Sequence, residues 1–474
     1  MDYDQARVYL TTALTYGINM GLHRIKRLLE LLGQPQKELR CIHIAGTNGK
    51  GSVSSYCAAI LAAGGHRVGV FTSPYLVRLT ERIRVIDGRE GLTRLRTDES
   101  SGEIEPAQFA AAMTEIRAAV EQMSAEGMEH PTEFELITAA GFWYFARQKC
   151  DLVVLETGLG GRLDSTNVVE TPLACVVTAL GFDHMDRLGS TMREIAAEKA
   201  GIVKPGCPVF LYNPHDLDLS AKDAEDALTV VSLKCQEQDA PLQLVSRADI
   251  HVFEYGWDGQ IFSDRISGLI LQTSLLGVFQ PLNATLAARV CQVLELASND
   301  AIREGIALAR WPARLEVLRR HPPVILDGAH NPQGCRALSA TLSRLLPAQP
   351  VIFLAGMLQD KDYEKMLRII LESKDYRPLA FICVKPDNPR ALSAEKLAKS
   401  VRIITSQLHK TDQSGYNVVN AIHAVDNPAD GTALALQLAG KTGAALCAFG
   451  SLYLVGSIRN LLGVQEEQLW TGNN

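Results

Sequence analysis

The sequence contains no run of about 18 apolar residues, the length that a membrane-spanning helix needs. It also lacks an excess of positive charge, because 47 Lys and Arg stand against 53 Asp and Glu, for a formal net charge of −6. No global basic field would therefore attract nucleic acid or an anionic membrane. We expect neither as a partner.

Disulfide and metal-binding cysteine patterns are absent as well. The ten cysteines are scattered, and none forms a C-x-x-C pair or another metal-ligand spacing. Most lie in apolar runs, as expected for reduced thiols of a cytosolic protein. The first residues, Met1-Asp2-Tyr3-Asp4, lack the basic and then apolar layout of a secretory signal. The sequence therefore predicts a cytoplasmic location.

The chain is rich in alternating strand and helix patterns. A chain of 474 residues is too long to fold around one ordinary hydrophobic core, which suggests two domains. Short apolar runs at 41–45, 68–72, 152–156 and 174–179 predict buried parallel strands, and helical patterns occupy 106–124 and 134–148. Alternating patterns at 248–253 and 269–273 predict antiparallel edge strands, and the polar stretch 88–102 predicts a surface loop. A second α/β series begins near Pro312. We therefore predict an α/β fold with domains 1–312 and 313–474.

A glycine-rich loop is the strongest motif. Gly46-Thr47-Asn48-Gly49-Lys50-Gly51-Ser52 follows an apolar run and precedes a helical pattern. Such a loop presents backbone N–H groups to a phosphate at the positive end of a helix. Lys50 could reach the outer phosphates of a nucleotide, and Ser52 could contact its metal ion. Gly51 separates the Lys from the hydroxyl residue, which departs from the common phosphate-loop pattern.

Two further motifs also follow strand patterns. Glu156 ends an apolar run and precedes the glycine cluster 158–161, which places its carboxylate at the ligand-binding edge of a parallel sheet. There it could hold Mg²⁺ directly or through water, although a solvated Glu is the alternative. His184 follows Asp183 just after another strand pattern. Imidazole is an unusual partner for Mg²⁺, so these residues alone also allow Mn²⁺ or Zn²⁺.

The next two segments are ambiguous by themselves. Lys199 lies among small and apolar residues on a helical pattern, where the lysine either extends to solvent or is desolvated and reactive as an amine. Asp327-Gly328-Ala329-His330-Asn331-Pro332 follows a strand pattern of the second series. It could contact a ligand across a domain cleft, but Asp-Gly and Asn-Pro also form ordinary turns.

Together these segments closely resemble the folylpolyglutamate synthase/dihydrofolate synthase family of Mur-type ATP-dependent amide ligases. The matching motifs lie at 46–52, 72–74, 132–135, 156–167, 183–184, 198–201, 311–316, 327–332 and 450–456. The resemblance implies a P-loop ATPase-like N-terminal domain with a mostly parallel sheet and a smaller Rossmann-like C-terminal domain. The active site is then expected in the interdomain cleft, and Gly51 belongs to this superfamily's version of the loop.

The resemblance also implies residue roles. Metal positions are Ser73, Glu156 and His184, with Mg²⁺ as the ion, and Lys199 matches a carboxylated lysine (N6-carboxylysine) that helps hold a second Mg²⁺. Catalytic positions are Lys50, Lys199, His330 and Ser451, the last two near the incoming glutamate. ATP positions are Asn48, Gly49, Lys50, Gly51, Ser52, Asn283, Arg314 and Asp327. Pterin or folate positions are Gly21, Leu22, His23, Arg24, Thr132, Glu133, Phe134, Glu135, Leu163, Asp164 and Ser165.

The implied chemistry is amide ligation. A substrate carboxylate takes the γ-phosphoryl group of ATP to give an acyl phosphate, and the amine of L-glutamate then displaces phosphate. The expected acceptors are reduced folates and dihydropteroate, and a monomer is expected. The alternatives are a monofunctional folylpolyglutamate synthase, another Mur-type amino-acid ligase, and a nucleotide-dependent switch protein. A Mur-type ligase that acts on a cell-wall nucleotide precursor would need a separate N-terminal domain to hold a UDP-sugar. This alternative is weakened because the phosphate loop begins only about forty residues into the chain.

Overall fold

A computed structural model describes residues 1–17, 19–411, 419 and 421–463 of the chain. The chain divides into two compact units. The first consists of Met1–Phe253, Ile261–Thr273 and Pro281–Arg310, and the second of Glu254–Gln260, Ser274–Gln280 and Trp311–Asn474. Neither unit is one continuous stretch of chain. The domain limits given above, 1–312 and 313–474, stay a prediction.

The strands are numbered in chain order. They are β1 Cys41–Ala45, β2 Arg67–Phe71, β3 Ile83–Asp87, β4 Leu152–Glu156, β5 Ala174–Val177, β6 Val209–Tyr212, β7 Leu242–Val245, β8 Ile250–Gly256, β9 Gly259–Asp264, β10 Ile270–Thr273, β11 Glu316–Arg320, β12 Pro323–Leu326, β13 Pro350–Ala355, β14 Arg377–Cys383, β15 Ala421–Ala424 and β16 Ala445–Phe449.

The α-helices follow the same convention. They are α1 Tyr3–Thr12, α2 His23–Leu31, α3 Lys50–Ala63, α4 Gly88–Arg94, α5 Pro106–Ala125, α6 Glu133–Arg147, α7 Met185–Leu188, α8 Met192–Ala200, α9 Ala221–Glu237, α10 Gln280–Val293, α11 Asn299–Leu308, α12 Pro332–Leu345, α13 Tyr363–Leu371, α14 Ala394–Thr411, α15 Pro428–Thr442 and α16 Leu452–Leu461.

The first unit is built on a seven-stranded sheet in the order β3-β2-β4-β1-β5-β6-β7. All neighbouring strands run parallel except β2 and β3, which form an antiparallel pair at one edge. Strands β1, β4 and β5 are buried along their whole length, as their mostly apolar sequences predict. Because β2, β4, β1 and β5 are consecutive and parallel, the loops after them emerge at one edge of the sheet.

Helices cover this sheet and position the loops. A core formed with α1, α2, α5 and α6 includes Leu28, Ile116 and Phe142, and a second core near β5 and β6 includes Met192 and Val231. Capping boxes fix the starts of α6 and α8, since Thr132 pairs with Glu135 and Thr191 with Glu194. These caps determine where each of the two helices begins.

The second unit contains a six-stranded sheet in the order β11-β12-β16-β13-β14-β15. It is parallel apart from the β11–β12 pair. Its core includes Phe353, Phe381 and Phe449, whose rings pack edge-on or tilted at centroid separations of 5.7–6.3 Å. The loops after β12 and β16 lie side by side, because these strands are parallel neighbours.

The predicted α/β class with two sheet-based parts is confirmed, and β1 and β4 match their predicted bounds. Prediction of 88–102 as a loop was wrong at its start, where α4 spans Gly88–Arg94. Gly91 and Leu92 of this helix are buried. Their packing stabilises a helix in a segment whose polar composition had predicted an exposed loop. No helix among the described residues is both long and apolar enough to cross a membrane.

Candidate functional site

The glycine-rich loop connects β1 to α3 and is fixed by the segment that follows β5. The backbone N–H groups of Thr47 and Asn48 donate to the carbonyl oxygen of Ala179, at 2.8 and 3.2 Å. Thr178 donates its hydroxyl to the carbonyl of Asn48 at 2.8 Å, and Thr47 donates its hydroxyl to the carbonyl of Gly181 at 2.9 Å. The first-turn amides of α3 emerge from this fixed loop, which suits them to bind an anion.

Gly46 has to be glycine for two reasons. Its φ is +154°, and a Cβ built there would lie 1.9 Å from Oγ1 of Thr178. The absence of a side chain lets the loop pack directly on the segment after β5. Gly49 is also close to a polar side chain, since its Cβ would lie 3.0 Å from Oδ1 of Asn283. Asn283 in α10 is therefore next to the loop, and it accepts a hydrogen bond from the hydroxyl of Tyr212.

Two lysines converge on the loop carbonyl of Gly46. Lys50, the first residue of α3, donates from Nζ at 3.1 Å, and Lys199 of α8 donates from Nζ at 2.9 Å. Lys199 is only 3% exposed, so it does not extend to solvent. Burial, together with the positive charge of Lys50, lowers the pKa of Lys199 to about 7. A large fraction of Lys199 is therefore a neutral, nucleophilic amine near neutral pH.

The three predicted metal residues lie at the same edge of the first sheet. Ser73 follows β2, Glu156 is the last residue of β4, and His184 follows β5. Glu156 is buried, whereas His184 is exposed and has a left-handed φ of +51°. The backbone N–H of His184 donates to Oδ1 of Asp183 at 2.9 Å. The phosphate loop emerges between the strands that carry Glu156 and His184.

This donor set fits Mg²⁺ as it is bound beside nucleotides. A buried carboxylate at a sheet edge requires a compensating charge or hydrogen bonds, and a hydroxyl and a carboxylate are oxygen donors that Mg²⁺ prefers. In the described part of the chain, no group of three or more His, Cys, Asp and Glu could hold a metal by itself. Mg²⁺ typically keeps waters and phosphate oxygens alongside one or two carboxylates, which a sparse set like this one allows.

The segments 21–24 and 132–135 lie together at the N-terminal ends of α2 and α6. Arg24, 1% exposed, donates from Nε to Oε2 of Glu135 at 3.1 Å and from Nη1 to Oε2 of Glu129 at 3.3 Å. Glu135 also accepts from the backbone N–H of Thr132 at 2.7 Å. Glu133 accepts from Arg82, which follows the Ser73 loop, at 2.9 Å. A buried ion pair thus ties the two helix starts together.

The segment 157–167 connects these helix starts to α8. Gly158 lies against the ring of Phe134, because a Cβ there would be 2.4 Å from Cζ of the ring. On the other side, Arg162 donates to Oε1 of Glu198 from Nε at 3.0 Å and from Nη2 at 2.7 Å. Glu198 directly precedes Lys199, so this loop connects the predicted folate segments with Lys199.

A buried polar chain holds the same segment on the central strand. Asp164 accepts from the backbone N–H of Leu159 at 2.8 Å and from Oγ1 of Thr166 at 2.5 Å. Oγ1 of Thr166 also lies 2.8 Å from Nε2 of His43, in the middle of β1. Burial raises the pKa of Asp164 and lowers the pKa of His43 to about 3. His43 is therefore neutral at physiological pH and acts only through hydrogen bonding.

Three predicted residues of the second unit, Asp327, His330 and Ser451, follow β12 or β16, and Arg314 lies on the turn before β11. Asp327 is buried and accepts from the backbone N–H groups of Leu315 and Ala329, each at 2.9 Å. Burial raises its pKa, and nearby Arg314 opposes that rise. His330 donates from Nδ1 to the carbonyl of Gly328 at 2.7 Å, with the tautomer set by that acceptor. Ser451 caps α16, accepting from the backbone N–H of Tyr453 at 3.2 Å.

The sequence interpretation missed residues that support the loop. Thr178 follows β5, the neighbour of β1, and Tyr212 ends β6, the next strand of the sheet. Each forms a hydrogen bond with a predicted nucleotide residue. A polar residue at the carboxyl end of a buried strand is a signal that could have identified them. His43 gave no such signal, because a histidine inside an apolar run looks like any core residue.

Two family models match the chain. The model described as Mur ligase middle domain matches residues 103–291, and the model described as Mur ligase, glutamate ligase domain matches residues 313–452. A curated relative from Bacillus subtilis (strain 168), named dihydrofolate synthase/folylpolyglutamate synthase, is 38% identical over 376 residues. That alignment covers 77% of this chain and 82% of the relative.

Solved structures agree in fold over nearly the whole chain. Mycobacterium tuberculosis folylpolyglutamate synthase complexed with ADP and AMPPCP has a TM-score of 0.80 at 28% identity, covering 98% of this chain and 99% of that one. Escherichia coli FolC in complex with DHPP and ADP has a TM-score of 0.77 at 28% identity, covering 97% of each chain.

Proposed function

Because the chain belongs to the folylpolyglutamate synthase/dihydrofolate synthase family of Mur-type ligases, we propose that it performs both reactions named for that family. It is an ATP-dependent ligase that joins glutamate to folates. The proposed acceptors are dihydropteroate, to which L-glutamate is added to give dihydrofolate, and reduced folates, whose glutamate chain is extended. The observation that carries the proposed site is the convergence of the phosphate loop, Glu156 and Lys199 at one sheet edge.

The proposed ATP site uses the loop residues Asn48, Gly49, Lys50, Gly51 and Ser52. The amides at the start of α3 and the ammonium of Lys50 would neutralise charge on the transferring phosphoryl group. Asn283 beside Gly49 would contact the nucleotide from α10, and Arg314 and Asp327 are proposed as further nucleotide contacts. Nucleotide complexes of the two related structures support this proposal.

The proposed magnesium residues are Ser73, Glu156 and His184. Bound there, Mg²⁺ would act as a Lewis acid on the phosphate oxygens and orient them. We propose further that Lys199 is carboxylated. Its neutral amine adds to the carbon of CO₂, one proton is released, and the resulting carbamate carries the negative charge needed to help hold a second Mg²⁺. The burial of Lys199 supports this step, because only the unprotonated amine reacts.

The proposed acceptor site comprises the segments 21–24, 132–135 and 163–165. The substrate carboxylate would attack the γ-phosphorus of ATP, and ADP would leave with the electrons of the broken P–O bond. The amine of L-glutamate would then attack the acyl carbon and displace phosphate. His330 and Ser451 are proposed to position this glutamate. A monomeric state and a cytoplasmic location are part of the same proposal.

Glutamate-dependent phosphate release tests this function. The purified chain is incubated with ATP, Mg²⁺, L-glutamate and either dihydropteroate or tetrahydrofolate, and the products are weighed by mass spectrometry. Both acceptors should gain glutamate. Turnover of tetrahydrofolate alone would show that the protein is a monofunctional folylpolyglutamate synthase. No glutamate-dependent phosphate release with any pterin would refute the folate reaction and favour another amino-acid ligase or a switch protein.

The site assignment needs a matched pair of lysine variants. Lys50→Ala removes the proposed phosphoryl contact, whereas Lys222→Ala removes an ammonium whose side chain is 87% exposed. We expect loss of turnover in the first variant and ordinary turnover in the second. Equal activity of both would refute the role of Lys50.

A further inference from the structure

The turn that carries Arg314 has an uncommon backbone conformation. Ala313 and Leu315, the residues on either side of Arg314, have left-handed φ values of +58° and +51°. Neither is a glycine, so each conformation is strained and persists only where surrounding contacts enforce it. Strain of this kind concentrates at functional sites, where it orients a particular group. The contacts that enforce it therefore bear on the position of Arg314.

Three hydrogen bonds hold the turn from within the second unit. Leu315 donates its backbone N–H to Oδ2 of Asp327 at 2.9 Å, and Gly328 donates its backbone N–H to the carbonyl of Ala313 at 2.8 Å. Ala313 donates its own backbone N–H to Oε2 of Glu316 at 3.0 Å. Each strained residue thus donates its backbone N–H to a carboxylate, Leu315 to Asp327 and Ala313 to Glu316.

Glu316 is itself held by an arginine far along the chain. Nε of Arg459 lies 3.0 Å from both carboxylate oxygens of Glu316, and Nη2 lies 2.9 Å from Oε1. The two side chains are 5% and 16% exposed, so water screens this ion pair little. A forked guanidinium–carboxylate pair also fixes orientation, which a single charge contact does not.

The guanidinium of Arg314 lies directly on this turn. Nη1 donates to the carbonyl of Ala313 at 3.2 Å, and a Cβ built on Gly328 would lie 2.0 Å from Nη1. A change in the Ala313 conformation would therefore move both the main chain under Arg314 and an acceptor of its side chain.

We propose that Arg459 and Glu316 are positioning residues for nucleotide binding by Arg314. Arg459 orients Glu316, Glu316 holds Ala313 in its left-handed conformation, and that conformation directs the Arg314 guanidinium. The inference rests on the proposed function, in which Arg314 contacts ATP. A structural role alone, in which Arg459 only attaches α16 to the sheet, would affect stability without a specific effect on nucleotide affinity.

A double-mutant cycle separates these roles. Arg459→Met, Arg314→Ala and the double variant are compared for the dissociation constant of ADP by calorimetry and for the KM of ATP. We expect Arg459→Met to weaken nucleotide binding roughly 10-fold, as for residues of one ion-pair network, with a smaller change in kcat. In the Arg314→Ala background the same change should have no further effect, because its target is gone. Arg459→Lys should retain part of the affinity.

Other outcomes would overturn the proposal in distinguishable ways. If Arg459→Met and Arg314→Ala weaken ADP binding independently, so that their fold-changes multiply in the double variant, Arg459 has a structural role only. The same conclusion follows if Arg459→Met lowers the melting temperature without changing the affinity for ADP. If Arg459→Met does not fold, Arg459→Lys decides by the same comparison. Unchanged affinity in Arg314→Ala would instead refute the nucleotide role of Arg314 itself. Arg390→Met serves as control, because Arg390 forms an exposed ion pair of 2.9 Å with Asp360 on other segments of the same unit.

Discussion

Replacing Lys199 by methionine should stabilise the protein while abolishing its activity. Burial lowers the pKa of this lysine from 10.5 to about 7, so the folded state disfavours the ammonium that the unfolded state keeps. At pH 8 the deprotonation that folding requires costs about 3 kcal/mol, at 1.36 kcal/mol for each pH unit below the unfolded pKa. Methionine has a similar length and no charge, and it removes this cost.

The gain is reduced by one lost hydrogen bond. Lys199 donates to the carbonyl of Gly46, a bond worth about 1 kcal/mol, but Lys50 donates to the same oxygen and keeps it satisfied. The expected net stabilisation is roughly 2 kcal/mol, or a few degrees in melting temperature. The measurement is thermal unfolding in buffer free of CO₂ and ligands, so that no carbamate contributes. Lys222→Met at the exposed surface is the control.

The pH dependence gives a second measure of the same effect. The folded pKa lies below the unfolded one, so the unfolded state binds more protons between pH 7 and 10.5. Wild-type stability should therefore rise with pH in that window, because the cost of burying Lys199 is complete below pH 7 and disappears above pH 10.5. The slope should be smaller in Lys199→Met. A variant that is destabilised, or that keeps the wild-type slope, would refute the assigned pKa; retained activity would refute the catalytic role.

Three other changes test separate parts of the site. Lys50→Ala should lower kcat roughly 10²-fold by leaving phosphoryl charge uncompensated, as steady-state kinetics would reveal; near-normal kcat would contradict the assignment. Gly46→Ala should destabilise the protein by roughly 1–3 kcal/mol, because its Cβ would clash with Thr178. Gly440→Ala is the control, since a Cβ there meets open space, and the two variants are compared by their urea unfolding midpoints. Burial lowers the pKa of His43 to about 3, so wild-type stability should fall as pH drops from about 6.5 towards 3. His43→Gln should flatten that fall, and an unchanged acid profile would count against a buried neutral histidine.

Local patterns in the sequence were sufficient to predict the central strands β1 and β4. Periodicity and composition determine whether a short segment is buried on both faces, and β1 and β4 are such segments. Glycine at 46 and 49, with Lys50 at a helix start, likewise predicts a phosphate-binding loop from a short stretch of sequence. The same rules mistook 88–94 for a loop, because the buried contacts of Gly91 and Leu92 are not visible in a polar sequence.

Only the tertiary structure decided that Lys199 is desolvated and which contacts hold the strained turn at Arg314. The sequence allowed Lys199 to be either a solvent-reaching or a desolvated lysine, and burial beside Gly46 selects the second. Arg459 and Glu316 are 143 residues apart, and no local pattern relates them. Pairings of this kind depend on which strands and helices become neighbours in space. A sequence pattern specifies which side chains of a segment are buried, and the tertiary fold specifies which other residues they contact.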